Sequence, residues 1–383
     1  MFYNHLEMEE VKVSELFTIS EAAERMHVSR QTIYTWIKEG KIKAVLTPGG
    51  RSRIPEDQLI IEKLEPAEGT PLDGFPIRDI SDLYRDRDEP LGTKEKYWFW
   101  RTEGHWYWDC EGERFLFKAG REGTGDNWAE KVASELCRLL GLPHAEYDLA
   151  VYGDLKGVIT PNFVPEGGAR FEAGNEILAK YIGGYEMLKR YKQTQHTLRV
   201  VLAVLGGKTV KLPIGWPNLG GFDCAADVFV GYLMLDAWIA NQDRHHENWG
   251  RIIVPDNTIT HLAPTFDHAS SLGRNETDSI REERLRTRDS SRNMDKYVQR
   301  ARSALYHMPK DSKPLSTLDA FREAAMRRRE AARFWLGKLE QISSPDTSLI
   351  IDKVPTEEMS DIAKEFTQAI LDRNRERLLT TKV

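Results

Sequence analysis

The chain has 383 residues and a net charge of −6, with 40% hydrophobic and 30% charged residues. That balance excludes a disordered chain and one that is basic throughout, yet leaves room for a local basic patch. No apolar run reaches the roughly 20 residues that span a bilayer, and Met1–Lys12 carries Glu7, Glu9 and Glu10 where a secretory signal needs an apolar stretch, so a cytoplasmic protein with no membrane partner is expected.

Length predicts two or three domains, and the texture of the chain divides them. Residues 1–15 read as a tail and 16–64 as a compact module of helix and turn signals. Residues 65–90 hold Pro66, Pro71, Pro76 and Pro90 with Gly69, Gly74 and the charge run Tyr84–Glu89; this reads as a linker with at most a short helix over Ile77–Leu83. A larger α+β domain follows, β-rich over 91–165 and mostly helical over 166–383. Cys110, Cys137 and Cys224 lack metal or disulfide spacing and fit reduced thiols.

Within 16–64, Ser20 is expected to cap a first helix bearing Ala22, Ala23 and Met26. His27-Val28 turns, and Ser29 caps a second helix with Ile33, Trp36 and Ile37 inward. Arg30, Gln31, Thr32 and Tyr34 then begin the second helix, where a recognition helix meets base edges and phosphates. From Arg25 to Arg53, seven basic residues (among them Lys38, Arg51 and Arg53) face one acid, Glu39. That excess is the footprint of double-stranded DNA binding inside an acidic protein. Pro48-Gly49-Gly50-Arg51 reads as the tip of a wing. The motifs Ser20-Glu-Ala-Ala23, Val28-Ser-Arg-Gln-Thr-Ile-Tyr-Thr-Trp36 and Gly40-Lys-Ile42 resemble the excisionase and MerR-type winged helix-turn-helix families.

In the larger domain, Lys96–Arg101, His105–Cys110 and Arg114–Lys118 are short aromatic or β-branched runs separated by turns, a meander. A helix follows from Asp126 as N-cap through Leu136, Leu139 and Leu140 to Gly141. Tyr147–Tyr152 and Gly157–Val164 read as strands. Phe222–Ala240 is a nearly continuous apolar helix, hence a buried one. Arg251–Val254 and Thr258–Leu262 form a hairpin, and amphipathic helices over Leu315–Gln341 and Thr356–Thr380 close the domain.

The chemistry concentrates at Asn241–Gly250, which reads Asn-Gln-Asp-Arg-His-His-Glu-Asn-Trp-Gly, and at Phe266-Asp267-His268. A carboxylate such as Asp243 can orient or deprotonate an attacking hydroxyl, while Asn248 and Asp267 offer oxygen ligands to a metal that bridges phosphates. Lys118 ends a strand where its ammonium can reach phosphate oxygens, and Glu130, early in the next helix, can hold it there; Glu135 competes for that role. Gly92, Thr93 and Lys96 belong to a loop able to cover phosphates through backbone amides, and Gly120–Gly125 is a second glycine-rich loop. Asp236 is expected to brace Arg244 or His245. His245, His246, His261 and His268 also admit a metal-dependent phosphohydrolase, although no His-x-x-x-His pair is present.

The order Phe-Leu-Phe-Lys118, Glu130, Leu-Gly-Leu-Pro143, Asn-x-Asp-Arg-His-x-x-Asn-Trp-Gly250 and Ala-Pro-x-Phe-Asp-x-x-Ser-Ser-Leu272 resembles the HipA-like serine/threonine kinases over most of residues 91 to 380. The resemblance implies a two-lobed kinase using ATP and Mg²⁺, with Asp243 as catalytic base, Asn248 and Asp267 on the metal and Lys118 on ATP. It makes His245 structural or phosphate-facing, and a protein phosphorylated on Ser or Thr the substrate. The family's autophosphorylated serine has no clear counterpart; Thr93 is the nearest hydroxyl. An antitoxin-like partner or a homodimer, and a toxin or regulatory role, are further implications. The alternative is a DNA-binding regulator whose pseudokinase domain only senses nucleotide.

Overall fold

The computed structural model describes residues 16–25, 33, 36–37, 42–46, 52–55, 74–88, 94–100, 114–255 and 259–382. They fall into two compact units, one within Met1–Pro71 and one within Leu72–His105 and Gly112–Val383.

In the first unit β1 (Leu16–Phe17), β2 (Val45–Leu46) and β3 (Ser52–Pro55) form an antiparallel sheet with β3 in the middle. Phe17 pairs with Ile54 across it. The helix Ile19–Arg25 starts one residue after the strand because Thr18 caps it: Glu21 N–H donates to Thr18 Oγ1 at 3.1 Å and Thr18 N–H to Glu21 Oε2 at 2.8 Å. This reciprocal pair is a complete capping box, so the expectation that Ser20 caps the helix is corrected to Thr18. Ile19, Ala22, Ile33, Ile42 and Ile54 are buried together, with Phe17, Trp36 and Ile37 against them. The second-helix capping and wing-tip expectations, and the site residues Arg30, Gln31, Thr32, Tyr34, Lys38 and Arg51, lie outside the described residues.

The second unit opens with a six-stranded sheet. Its strands are β4 (Ile77–Asp79), β5 (Arg85–Asp88), β6 (Lys96–Trp100), β7 (Arg114–Ala119), β8 (Asp148–Tyr152) and β9 (Leu155–Pro161), in the order β4-β8-β9-β7-β6-β5. Only β4–β8 is parallel. The linker expected through Pro90 is therefore corrected over its described part, and Ile77–Leu83 is not a helix. Residues 77–79 and 85–88 supply both edges of this sheet. Their charges suit them to that place, since edge strands are blunted by exposed polar side chains. The middle strand expected at His105–Cys110 lies outside the described residues.

The helix Asp126–Leu140 packs on β8 and β9. Gly125 occupies its N-cap position rather than Asp126, which is the first helical residue, and Gly141 closes it with φ +69°. A left-handed C′ position favours glycine. From residue 166 on the domain is mostly helical as expected, but a second sheet intervenes. It is built from β10 (Arg170–Ala173), β11 (Val210–Lys211), β12 (Gly250–Ile253) and β13 (Thr260–Leu262) in the order β10-β12-β13-β11.

At the centre of the helical part lies Ala225–Trp238, in which every residue but Asp227 is buried. That explains its uniform apolarity, because a helix surrounded by protein has no solvent face to mark. The terminal helix Asp361–Leu379 crosses it, with Asn374 Nδ2 donating to Trp238 O at 3.1 Å. A Cβ on Gly231 would lie 2.6 Å from the Trp335 ring and 2.7 Å from Leu142 Cδ2. Helix propensity favours alanine over glycine by up to about 1 kcal/mol, whereas overpacking a tight core costs about 1–3 kcal/mol. Gly231→Ala should therefore lower stability by about 1–2 kcal/mol in a denaturant titration, the overpacking term outweighing propensity; a gain in stability would mean that Trp335 moves away freely.

Candidate active site

Lys118 and Lys96 are direct cross-strand partners on β7 and β6, so the sheet presents two ammonium groups on one face. Like charges so placed repel, and the arrangement holds because a carboxylate arrives from elsewhere. Lys118 Nζ lies 2.9 Å from Asp267 Oδ1 and 3.6 Å from Glu130 Oε1. Burial of Lys118 disfavours its charge, but Asp267 and Glu130 outweigh this and hold its pKa well above the ordinary lysine value. The partner is Glu130 and not Glu135, which instead pairs with Lys131 and Arg138.

Glu130 also accepts the His268 backbone N–H at 3.1 Å, tying its helix to the Phe-Asp-His segment. A second tie explains Leu-Gly-Leu-Pro143: Thr265 N–H donates to Pro143 O, and Ala145 N–H to Thr265 O, each at 2.9 Å. Asp267 itself adopts φ +61°, a conformation that costs a non-glycine residue energy and is tolerated best by Asp and Asn. Burial pushes its pKa up, yet Lys118, Lys96 and Lys94 prevail and keep the carboxylate ionised, well below the usual range.

Opposite stands the loop that leaves the core helix. Arg244 is fully buried and braces it: Nε and Nη2 bond to the two oxygens of Asp236 at 2.8 and 2.7 Å, Nη1 donates to Asn248 O at 2.8 Å and Nη2 to Thr265 Oγ1 at 2.9 Å. Asp236 thus braces Arg244, one of its two expected partners. Asn248 Nδ2 donates to Asp243 O at 2.7 Å, which commits its NH₂ and leaves the amide oxygen as the atom available to a cation. Asp243 is raised to about 7, first by burial and then by Asp267. His245 accepts the Glu247 N–H on Nδ1 at 3.1 Å, and burial lowers its pKa to about 3. Its neutral ring therefore carries a proton on Nε2, 3.7 Å from Asp243 Oδ1.

These groups line one cleft of about 550 Å³. It brings together Lys96, Lys118, Asp243, His245, Asn248 and Asp267, all singled out from sequence, while Glu130 lies behind Lys118. Gly92 and Thr93 lie outside the described residues. The cleft also holds groups that sequence reasoning missed. Lys94 pairs with Asp126 at 2.6 Å, and burial lowers it to about 8. Arg274 forms an ion pair with the same carboxylate, and Arg121 lies 3.9 Å from it. Trp98, Leu116, Phe163, Phe171 and Phe266 supply an apolar wall, as a planar base would require.

The histidines do not gather as metal ligands. His246 Nδ1 meets Tyr185 OH at 2.6 Å, His261 Nδ1 meets Leu212 O at 2.8 Å and His268 Nε2 meets Thr265 Oγ1 at 2.8 Å. Among the described residues no group of three His, Cys, Asp or Glu is placed to hold a metal. Among the same residues no helix is long and apolar enough to cross a membrane. Of the expected DNA-contacting residues only Arg53 is described; its Nη1 donates to Ser52 O at 3.0 Å.

Comparison with known proteins follows this division. Residues 16–60 match the family model described as a Helix-turn-helix domain. Among solved structures, the Helicobacter pylori proinflammatory kinase CtkA superposes with a TM-score of 0.60 at 19% identity, over 80% of this chain and 97% of that one. The Shewanella oneidensis MR-1 toxin–antitoxin complex of HipA, HipB and operator DNA matches with a TM-score of 0.43 at 12% identity, over 94% of this chain and 84% of that one. No curated protein sequence matches the chain significantly. The expected order, a helix-turn-helix domain followed by a kinase fold with sheet-rich and helical lobes, is thus borne out.

Proposed function

We propose that this chain is an ATP- and Mg²⁺-dependent serine/threonine protein kinase with a DNA-binding helix-turn-helix domain. The observation that carries the reading is Lys118, fixed between Glu130 and Asp267 in one wall of a cleft whose opposite wall presents Asp243 and Asn248. A fold shared with CtkA supports it.

The donor set suits magnesium: an ionised carboxylate on Asp267 and an amide oxygen on Asn248 are hard oxygen ligands. Bound there, the ion would neutralise charge on the phosphates. Lys118 anchors phosphate oxygens, and Lys96 and Lys94 add positive charge beside it. Asp243 accepts the hydrogen bond of the acceptor hydroxyl and takes its proton as the oxygen bonds to the γ-phosphorus and ADP departs. His245, neutral and holding its proton on Nε2, stands 3.7 Å from Asp243 Oδ1 and adds no charge beside the base.

With Asp243 at about 7, the rate constant kcat/KM should rise with pH up to about that value and level off above it. A flat profile between pH 5.5 and 8.5 would remove Asp243 as the base. Transfer of label from γ-labelled ATP should require Mg²⁺ and disappear in Lys118→Ala. Phosphate release that needs manganese or iron and survives Lys118→Ala would instead indicate a hydrolase.

For the first unit, double-stranded DNA affinity should fall steeply with salt, by a log–log slope of about −0.9 per phosphate contacted, and Arg30→Ala should weaken it. A chain lacking residues 1–71 that binds DNA as well as the whole protein would defeat this half of the proposal. An antitoxin-like partner, a homodimer and a toxin or regulatory role belong to the same proposal and rest on the family resemblance alone.

A further inference from the structure

Between the helix Gly174–Tyr181 and the residues that follow Gln193, a short segment touches the catalytic loop three times in succession. Tyr191 stacks edge-on against the His245 ring with centroids 6.2 Å apart, Tyr185 OH bonds to His246 Nδ1, and Arg190 pairs with Glu247. These are three of the four residues between Asp243 and Asn248. The segment is itself fastened, by Asn175 Nδ2 to Met187 O at 3.2 Å and by Gln193 Nε2 to Glu186 O at 2.9 Å.

Its outer surface contrasts with this anchoring. Leu188 is 93% exposed, Tyr191 65% and Met187 38%. An aliphatic residue exposed so fully, three positions from an exposed aromatic in one short segment, offers apolar surface to a partner. The segment reaches the cleft, because Arg190 and Tyr191 line it together with Asp243. Arg190 and Arg121 line the cleft together with Asp243, Arg190 held by Glu247, and cationic side chains outnumber carboxylates among the residues that line it.

Building on the kinase reading, we infer that the segment Tyr185–Tyr191 is the docking wall for the polypeptide acceptor. It seats an apolar residue on Leu188 and Tyr191 and favours acceptors with carboxylates flanking the phosphorylated hydroxyl, which pass Arg190 and Arg121. Tyr185 acts as a positioning residue through His246. The occupant is an acidic polypeptide because Arg190 and Arg121 both line the cleft that its hydroxyl enters to reach Asp243.

Fluorescence anisotropy of the full chain with labelled dephosphorylated α-casein, an acidic unfolded polypeptide, tests this without requiring turnover. Casein should bind more tightly than the basic probe histone H1, and Leu188→Asp should weaken casein binding at least about tenfold with an unchanged thermal unfolding curve. In phosphorylation assays Arg190→Ala should raise KM for casein more than it lowers kcat, whereas Tyr185→Phe should lower kcat with little effect on KM. Casein binding unaffected by Leu188→Asp, a preference for histone H1, or a dimer that dissociates in Leu188→Asp while casein still binds would each overturn the inference. Leu188-dependent casein binding without any phosphate transfer would sustain the docking wall and sink the kinase reading instead.

Discussion

Asp243→Asn should lower phosphoryl transfer by about 10³-fold, within the range that general base catalysis contributes, while ATP affinity changes less than about threefold. The substitution keeps the shape of the side chain and the backbone contact of Asp243 O with Asn248 Nδ2, but removes the group that accepts the proton. It leaves Lys118, Glu130 and Asp267 untouched, so the nucleotide side of the cleft should persist. The same variant makes a second, independent prediction about stability. The Asp243 carboxyl is raised from 3.8 to about 7, so between those values the folded chain keeps a proton that the unfolded chain has lost. Its contribution is present below about pH 4 and is lost as pH rises through about 7, because stability falls with pH where the native state binds more protons. Asp243→Asn, which cannot lose that proton, should therefore be more stable than wild type at pH 8, with the gap closing below pH 4. Equal denaturation midpoints at both pH values would show that Asp243 is an ordinary, hydrated carboxylate.

Asp236→Ala should cost about 3–5 kcal/mol in denaturant unfolding, the penalty for leaving a buried charge unpaired. Arg244 is fully buried, and Asp236 supplies its only carboxylate partner among the described residues. The same loss releases Asn241, whose Nδ2 donates to Asp236 Oδ1 at 2.8 Å and whose Oδ1 accepts the Asp243 N–H at 3.2 Å. Activity should fall together with stability, since the guanidinium also holds Asn248 O and Thr265 on either side of the cleft. A loss below about 1 kcal/mol, the size of an exposed pair, would mean that water reaches Arg244.

The parts of this site that were legible in the sequence are those written as short local patterns. An apolar helix with no polar face, followed at once by Asp-Arg-His-x-x-Asn, placed a loop at the end of a buried element, and the structure puts it there. Lys118 could be read because it sits near the end of a strand just ahead of a helix carrying Glu130. Arg121, the pair Arg190-Tyr191 and Arg274 could not, because they come from three separate loops and share the cleft only after the chain has folded. The edge strands 77–79 and 85–88 were mistaken for linker since exposure on an edge removes the alternating pattern by which strands are recognised. The Thr18 cap is different, because Thr18-Ile-Ser-Glu21 is a full capping-box sequence and the signal was present.

The central claim is that Asp243, Asn248, Lys118 and Asp267 act together to move phosphate from ATP to a protein hydroxyl. A phosphoproteome comparison of cells expressing the wild-type chain or Asp243→Asn at equal levels tests it most directly. The account predicts phosphoserine or phosphothreonine sites present with wild type and absent with the variant, enriched in neighbouring carboxylates. Indistinguishable phosphoproteomes, with purified wild-type protein binding ATP tightly but transferring nothing, would contradict it and leave a nucleotide sensor joined to a helix-turn-helix.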